Sequence, residues 1–293
     1  MLSEKSQAAS QSQMERWNGE LARFWIEHRE RHIEVHESLV PHLFRGAAIA
    51  TGNRVLDVGC GCGDTTIRAA RTARDGYVVG LDLSVPMLDV ARHLAGQAGV
   101  ANVRFVRGDA QSCPLRQGSC DVVISSFGIM FFEDPTEAFV SIASVLRPHG
   151  RLAFLCWQDE KENEFESIPL RALDAYTTRP SQPSCDQFYD PKKITKLLSG
   201  AGMEGIQIEN ITGRAWLGRD VPDVMNYVGG TPAIRNLRPD LDEVTFQQVL
   251  TTIADQYSAR QDPGGVWIHA AAWLVTARRA LGILSERQDR LIQ

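Results

Sequence analysis

Hydrophobic positions change their spacing as the chain proceeds. Between Trp17 and Phe44 they fall three or four residues apart: Leu21, Trp25, His28, His32, Val35, Leu39 and Leu43 share one face, with Arg and Glu on the other. That period predicts an amphipathic helix. Pro41 lies near its end, where the missing N–H should kink or stop it. The stripe must be buried on something, either the body of the protein or a second copy of the chain. Residues 1–45 therefore read as a helical extension, and pairing of copies through it is the expected route to a homo-oligomer.

From residue 54 the pattern switches to short apolar runs alternating with helical ones. RVLDV (54–58) predicts a buried strand and DTTIRAARTA (64–73) a helix. YVVGLD (77–82) is a second strand, and SVPMLDVARHLAGQAG (84–99) a second helix with Ser84 as N-cap and Pro86 in its first turn. NVRFVRGDA (102–110) and CDVVISS (120–126) are the third and fourth strands. DPTEAFVSIASVLRPHG (134–150) reads as a helix with a Pro-His-Gly stop, and RLAFLCW (151–157) as the fifth strand. Strands and helices alternating in this way predict a doubly wound α/β sheet with both faces covered and a ligand at the carboxyl ends of the strands.

Beyond Trp157 the regularity weakens. Residues 158–190 are polar and broken by Pro169, Pro180 and Pro183, and residues 212–265 read as mostly helical. These two segments are the expected lid and substrate pocket of a domain spanning 46–293. Between them lie a helix (190–203) and a strand, GIQIENI (205–211); GVWIHAAAWLVTARR (265–279) holds a last strand.

Composition narrows the function classes. The 293 residues are 43% hydrophobic and carry a formal charge of −5, an unsuitable balance for a protein that lives on phosphate backbones. No apolar run approaches a membrane span, the polar N-terminus lacks a signal-peptide core, and six irregularly spaced cysteines read as reduced thiols. A cytoplasmic location is the expectation, with a small molecule as partner.

The chemistry gathers at NRVLDVGCGCGDTT (53–66). Cys60 and Cys62 are one residue apart, closer than zinc-site spacing, with no second Cys or His pair nearby, so no metal is expected. Gly59, Gly61 and Gly63 give G-x-G-x-G, and Asp64 stands where a dinucleotide loop would place its third glycine. An acid there opposes a pyrophosphate on the helix N-terminus. A ligand bearing an ammonium and a carboxylate suits the loop better, with Asp57 available to the ammonium. Asp82, ending the second strand, is placed for two ribose hydroxyls, and Asp109 for the exocyclic amine of a purine. Amino acid, ribose and adenine together describe S-adenosylmethionine.

VLDVGCGCGDTT, VVGLDLSVPML, VRFVRGDA and FEDPTEAFVSIASVLRPHGRLAFLCW, in this order, resemble class I S-adenosylmethionine-dependent methyltransferases, in the UbiE-like branch that acts on small molecules. The resemblance covers residues 50–157 strongly and the C-terminal strands more weakly. It implies a Rossmann-like sheet of seven strands with the last one antiparallel beside the fifth. It puts Asp57, Gly59, Gly61 and Gly63 around the methionyl end, Asp82 on the ribose, and Leu83 and Met87 near the adenine. Asp109 and Ala110 flank the base, and Ser126 faces the methyl donor. Cys62 stands where the family usually carries Thr, Ser or Asn.

The resemblance implies in-line methyl transfer to a small acceptor, leaving S-adenosylhomocysteine. Positioning supplies most of the rate in such a displacement, a general base is optional, and no catalytic residue is identified. The apolar SSFGIMFF (125–132), in place of the Asn/Asp-Pro-Pro-aromatic motif of nucleic-acid and protein N-methyltransferases, points to a hydrophobic acceptor of quinone, isoprenoid or specialised-metabolite type. Phe131 and His28 are candidate acceptor contacts; His32 and His36 follow His28 along the same helix, and a histidine there would be the base if one is used. A nicotinamide-dependent oxidoreductase and a non-catalytic SAM-binding interaction protein are the alternatives.

Overall fold

The computed structural model describes residues 13–174, 188–235 and 241–281. The N-terminal tail, the stretch 175–187 of the expected lid, and Pro180 and Pro183 within it, lie outside the described residues.

The N-terminal stripe is broken into short helices instead of one: after a helical stretch over 13–18 come α1 (Glu20–Glu27), α2 (Arg29–His36) and α3 (Val40–Ala47). Pro41 opens the third helix; it does not end the first. In a first turn the missing proline N–H has no intrahelical partner to lose, so the residue starts a helix as readily as it stops one. Ala22, Val35, Leu39, Leu43 and Ala47 are buried within this single chain. Of the two partners expected for the stripe, the chain's own body thus covers its buried part, while Leu21, Trp25, His28 and His32 stay partly exposed.

Strands β1 (Arg54–Val58), β2 (Tyr77–Asp82), β3 (Val103–Arg107), β4 (Cys120–Ser126) and β5 (Leu146–Trp157) are parallel. They are joined by α4 (Asp64–Thr72), α5 (Val85–Gln97) and α6 (Pro135–Val145). Val55, Leu56, Val122, Val123 and Ile124 are at most 1% exposed, which explains why these central strands read as unbroken apolar runs. Ser84 caps α5 by accepting from the Met87 N–H, and Asp134 caps α6 by accepting from Glu137 N–H. Helix α6 stops at Val145, earlier than the Pro-His-Gly stop suggests. Arg147 to Gly150 belong to β5, whose pairing with β4 shifts register between Cys120 and Val122. That irregularity, with His149 at φ 58°, accommodates a proline at the start of a strand.

The chain then forms α7 (Glu164–Asp174), α8 (Pro191–Gly200), β6 (Met203–Gly218), α9 (Val221–Gly230), α10 (Glu243–Ser258), a two-residue β7 (Gln261–Asp262) and β8 (Gly265–Arg279). Pro169 lies inside α7, in a segment expected to be irregular. The sheet order is β3-β2-β1-β4-β5-β8-β6, with β8 antiparallel to both neighbours. The reversed strand therefore sits beside the fifth as expected, and β7, pairing with β8 alone, makes an eighth strand.

The chief departure is the length of β6. Residues 212–218 are strand, not the helix expected from 212 onward. Pairing of β8 with β5 stops at Trp157–Ala272, whereas β8 and β6 stay paired as far as Val266–Gly218. A two-stranded ribbon thus runs past the carboxyl end of β5. Arg31 of α2 ties itself to it, donating to the Leu217 carbonyl at 2.6 Å. Among the described residues no helix is long and apolar enough to cross a membrane.

Candidate active site

The three loop glycines do different jobs. All have positive φ, 67° at Gly59, 53° at Gly61 and 85° at Gly63, where a side chain would be strained. A Cβ on Gly59 would lie 2.8 Å from Gly128 Cα, so the loops after β1 and β4 touch backbone to backbone. A Cβ on Gly63 would meet Ala91 Cβ at 2.8 Å and the Phe105 ring at 2.9 Å, so this glycine seats α4 against α5 and β3. At Gly61 the nearest neighbour would be Met87 Cε at 3.7 Å. This is the position where backbone is left free to approach a ligand.

Asp82 is organised by that loop. Its Oδ2 accepts from Gly61 N–H and its Oδ1 from Ser84 N–H, both at 2.8 Å. Burial raises its pKa while these backbone donors oppose the rise. Each oxygen retains acceptor capacity, as two vicinal hydroxyls require. Asp57 is placed differently. It is 1% exposed, beneath the loop, and its Oδ2 accepts from Thr66 Oγ1 at 2.6 Å. Burial, with Asp82 and Asp64 adding repulsion, pushes its carboxyl up to about 7. Thr66, which the sequence did not single out, is what holds this acid.

Asp109 Oδ1 accepts from Gln111 N–H at 2.9 Å, capping a single turn that begins at Ala110. Gln111, also missed in the sequence, is buried and accepts through Oε1 from Asp134 N–H at 2.8 Å, tying this turn to the start of α6. Ser126 ends β4 half-buried; its neighbour Ser125 donates to the Val58 carbonyl at 2.7 Å and locks β4 to β1.

The N-terminal helices lie over this edge. Asn18 donates to the Leu83 carbonyl at 3.2 Å and accepts from Val85 N–H at 2.9 Å. Ala22, Cys62 and Met87 form a small core with Trp17 and Trp25 packed on it, and Trp17 also meets Phe131 edge-on at 5.0 Å. One tryptophan thus bridges the loop after β1, through Cys62, and the turn after β4, through Phe131. Arg29 pairs with Asp64 through two hydrogen bonds, so the acid at the α4 N-terminus is answered by an arginine.

Past β4 the site turns aromatic. Phe127 has φ 60°, an uncommon conformation for a bulky residue and one that persists only when its surroundings enforce it. Its ring stacks on Trp157 at 4.0 Å and on His36 at 4.4 Å, and Phe165 adds to Trp157 at 4.9 Å. His28 is not in this group; it packs on Phe24 at 4.5 Å and Tyr227 at 5.1 Å.

The donor set fits S-adenosylmethionine. An open glycine backbone, an acid preorganised by two backbone donors and a buried acid pushed up by its own confinement favour a ligand with positive charge and no phosphate.

Comparison with known proteins agrees. Residues 55–150 match the methyltransferase domain family. The ubiquinone/menaquinone biosynthesis C-methyltransferase UbiE of Azotobacter vinelandii is 31% identical over 182 residues, covering 57% of this chain and 72% of that protein. The UbiE of Stutzerimonas stutzeri is 32% identical over 181 residues, covering 55% and 69%. The YcgJ protein of a Bacillus superposes with a TM-score of 0.57 at 21% identity, over 84% of this chain and all of that one. The [4+2]-cyclase SpnF superposes at 0.51 and 20% identity, over 83% of this chain and 80% of its own. Likenesses at that identity speak for the fold alone, and one fold hosts several chemistries. The sequence relatives carry the activity: the chain belongs to the UbiE-like family of S-adenosylmethionine-dependent methyltransferases.

Proposed function

We propose that this enzyme methylates a small, apolar, ring-bearing metabolite of the quinone or specialised-metabolite kind. The observation that carries the reading is the aromatic cluster of Phe127, Trp157 and Phe165 at the carboxyl ends of β4 and β5, next to the Gly59–Gly128 contact. Flat rings bury large apolar area and stack at low entropic cost. The C-methyltransferase names of the relatives point the same way.

In this reading Gly59, Gly61 and Gly63 shape the methionyl subsite and Asp57 supports it from below. Asp82 receives the ribose hydroxyls. Leu83 and Met87 lie beside the adenine, and Asp109 and Ala110 flank it. Ser126 faces the reactive end, and Phe131, under Trp17, borders the acceptor. When bound, S-adenosylmethionine supplies a methyl group on a good leaving group. The chain's own task is to hold an acceptor atom in line and exclude water, which preorganised geometry can turn into roughly 7–11 kcal/mol of barrier reduction. Residues 1–45 act as a cover, and α7, α9, α10 and the β6–β8 ribbon form the acceptor side of the 46–293 domain.

An acceptor panel on the full chain tests this. Hydroxylated naphthalenes and reduced quinones should be methylated, with product detected by mass. Turnover confined to hydrophilic amines would sink the reading.

A further inference from the structure

Two side-chain hydroxyls among the described residues are sealed inside the protein without a hydrogen-bond partner, Ser38 Oγ and Tyr257 Oη. Ser38 lies in the turn between α2 and α3, packed on β6 so closely that a Cβ on Gly213 would be 2.8 Å from its Oγ. No ligand atom fits between them. Tyr257 is different. It stands in the last turn of α10, 0% exposed, on the acceptor side of the domain.

The polar groups that face Tyr257 are Tyr227, Arg260 and Glu164, and each is engaged elsewhere. Glu164 of α7 accepts from Arg260 at 2.6 Å through one oxygen and from His269 N–H at 2.7 Å through the other. Tyr227 of α9 has its Oη 3.0 Å from His32 Nε2. His36, one turn along α2 from His32, stacks on Phe127 at 4.4 Å. A chain of side-chain contacts therefore runs from Tyr257 through Tyr227 and α2 to the residue that follows Ser126. Burial pushes the Tyr257 hydroxyl up, so it keeps its proton and is a donor without an acceptor. A buried donor left unpaired is costly, and phenylalanine would fill the same space without that cost.

We propose that Tyr257 is a specificity-determining residue, whose hydroxyl donates to a carbonyl or ether oxygen of the acceptor at the end remote from the methylated atom. The inference rests on the apolar-ring reading given above and adds to it a required oxygen. The hydroxyl is out of reach of solvent, so its subsite forms as the acceptor enters and parts α10 from α7 and α9. A ligand shifts such a packing equilibrium only by binding the parted form better. The hydrogen bond gained there, which relieves the orphaned donor, supplies that difference. A ring of the same shape without the oxygen leaves the donor unpaired, and a site built this way rejects it.

The test joins stability to binding. Ligand-free Tyr257→Phe should unfold at the same urea concentration as the wild type or a higher one, because it loses no hydrogen bond. The full chain, saturated with S-adenosylhomocysteine, is then titrated with 2-acetylnaphthalene and with 2-ethylnaphthalene, which has the same outline and no oxygen. The ketone should bind the variant about tenfold more weakly, with the hydrocarbon unaffected. In infrared difference spectra the carbonyl stretch of the bound ketone should fall in the wild type and return in the variant. A variant that unfolds at lower urea would mean that the hydroxyl is already bonded, to a trapped water or to a neighbour, and would overturn the proposal. Equal changes for both probes would do the same. If neither probe binds the wild-type protein, the apolar-ring reading itself falls and this inference with it.

Discussion

The two halves of the carboxyl edge of the sheet are built on opposite plans. On the β1–β3 side, polar groups are satisfied before any ligand arrives: Asp82 takes two backbone N–H groups, and Asp57 takes Thr66. On the β4–β5 side, rings pack on rings, with the His36 imidazole stacked among them. The first half is preorganised for one fixed ligand, and its precision comes from the backbone. The second is a surface of side chains drawn from α2, β4, β5 and α7, which can be re-specified without disturbing the first. That division suits a family whose cofactor is constant and whose acceptors vary.

The sharpest way to break the comparison is at its hinge, where the two halves touch. Gly59→Ala places a methyl group 2.8 Å from Gly128 Cα on a residue with φ 67°. Backbone has no rotamer with which to yield. We expect a loss of about 5 kcal/mol or failure to fold, the exceptional end of the range for single substitutions. Gly61→Ala is the control, since its Cβ meets only Met87 Cε at 3.7 Å. It should keep most of the stability, paying about 1 kcal/mol for its positive φ, yet lose affinity for S-adenosylhomocysteine. Urea unfolding and calorimetry separate the two. Equal stability losses would show that the loop glycines are not divided between packing and binding.

Asp57 comes next in size. Its folded-state carboxyl is raised to about 7 from an ordinary 3.8, chiefly by burial. The folded protein therefore holds this proton more tightly than the unfolded chain. Its stabilising contribution is complete below pH 3.8 and is lost as pH rises through about 7. Asp57→Asn, which can still accept from Thr66, has no charge to bury. It should match the wild type near pH 4 and exceed it by up to about 4 kcal/mol at pH 8. Denaturant melts across that range check this, and a constant difference at all pH values would sink it. With the proposed pairing of Asp57 and the cofactor's ammonium, saturating cofactor should narrow the gap.

How much of this was legible in the sequence follows the same division. The strand-loop-helix of 54–73, Asp82 at a strand end and the Ser84 cap are local patterns, in which neighbours in sequence are neighbours in space. The class of the fold and the cofactor side follow from them. Thr66 and Gln111 were missed because their importance lies in what they touch, Asp57 nine residues away and Asp134 twenty-three away. The β6 extension was missed because ENITGRAWLG mixes polar and apolar residues, as an edge strand with one face solvated does. His36 was read only as one of three histidines. Its difference from His32 is a tertiary fact: Tyr227 reaches one ring and not the other.

Asp82→Ala isolates the cofactor half. It removes the acceptor for Gly61 and Ser84 N–H and the contacts expected with the ribose. Affinity for S-adenosylhomocysteine should fall roughly ten- to a hundredfold, or about 1.4–2.7 kcal/mol. Binding of an acceptor ring should be unaffected if the halves are separable. A comparable fall in both would mean that they are one cooperative site.

The smallest effect concerns the cover. Arg29 and Asp64 form a partly exposed ion pair between α2 and the start of α4, with side chains 25% and 35% accessible. Pairs of that exposure contribute about 1 kcal/mol or less, so Arg29→Met should barely alter global unfolding. Its consequence should be kinetic. Trp17 meets Phe131 on one side and packs with the Cys62–Met87 core on the other, and Arg29 and Asn18 tie the N-terminal helices to Asp64 and Val85, so these helices are proposed to cover the cofactor side. Weakening a latch by ~1 kcal/mol raises the open fraction about fivefold. Stopped-flow tryptophan fluorescence should then show S-adenosylhomocysteine entering and leaving several-fold faster, with Kd little changed if closure is coupled weakly to binding. Raising the ionic strength should speed entry to the wild type more than to the variant, because only the wild type has this pair to screen. Identical rates in both proteins would mean that the cleft is reached without lifting these helices, and the cover would then belong to the acceptor half alone.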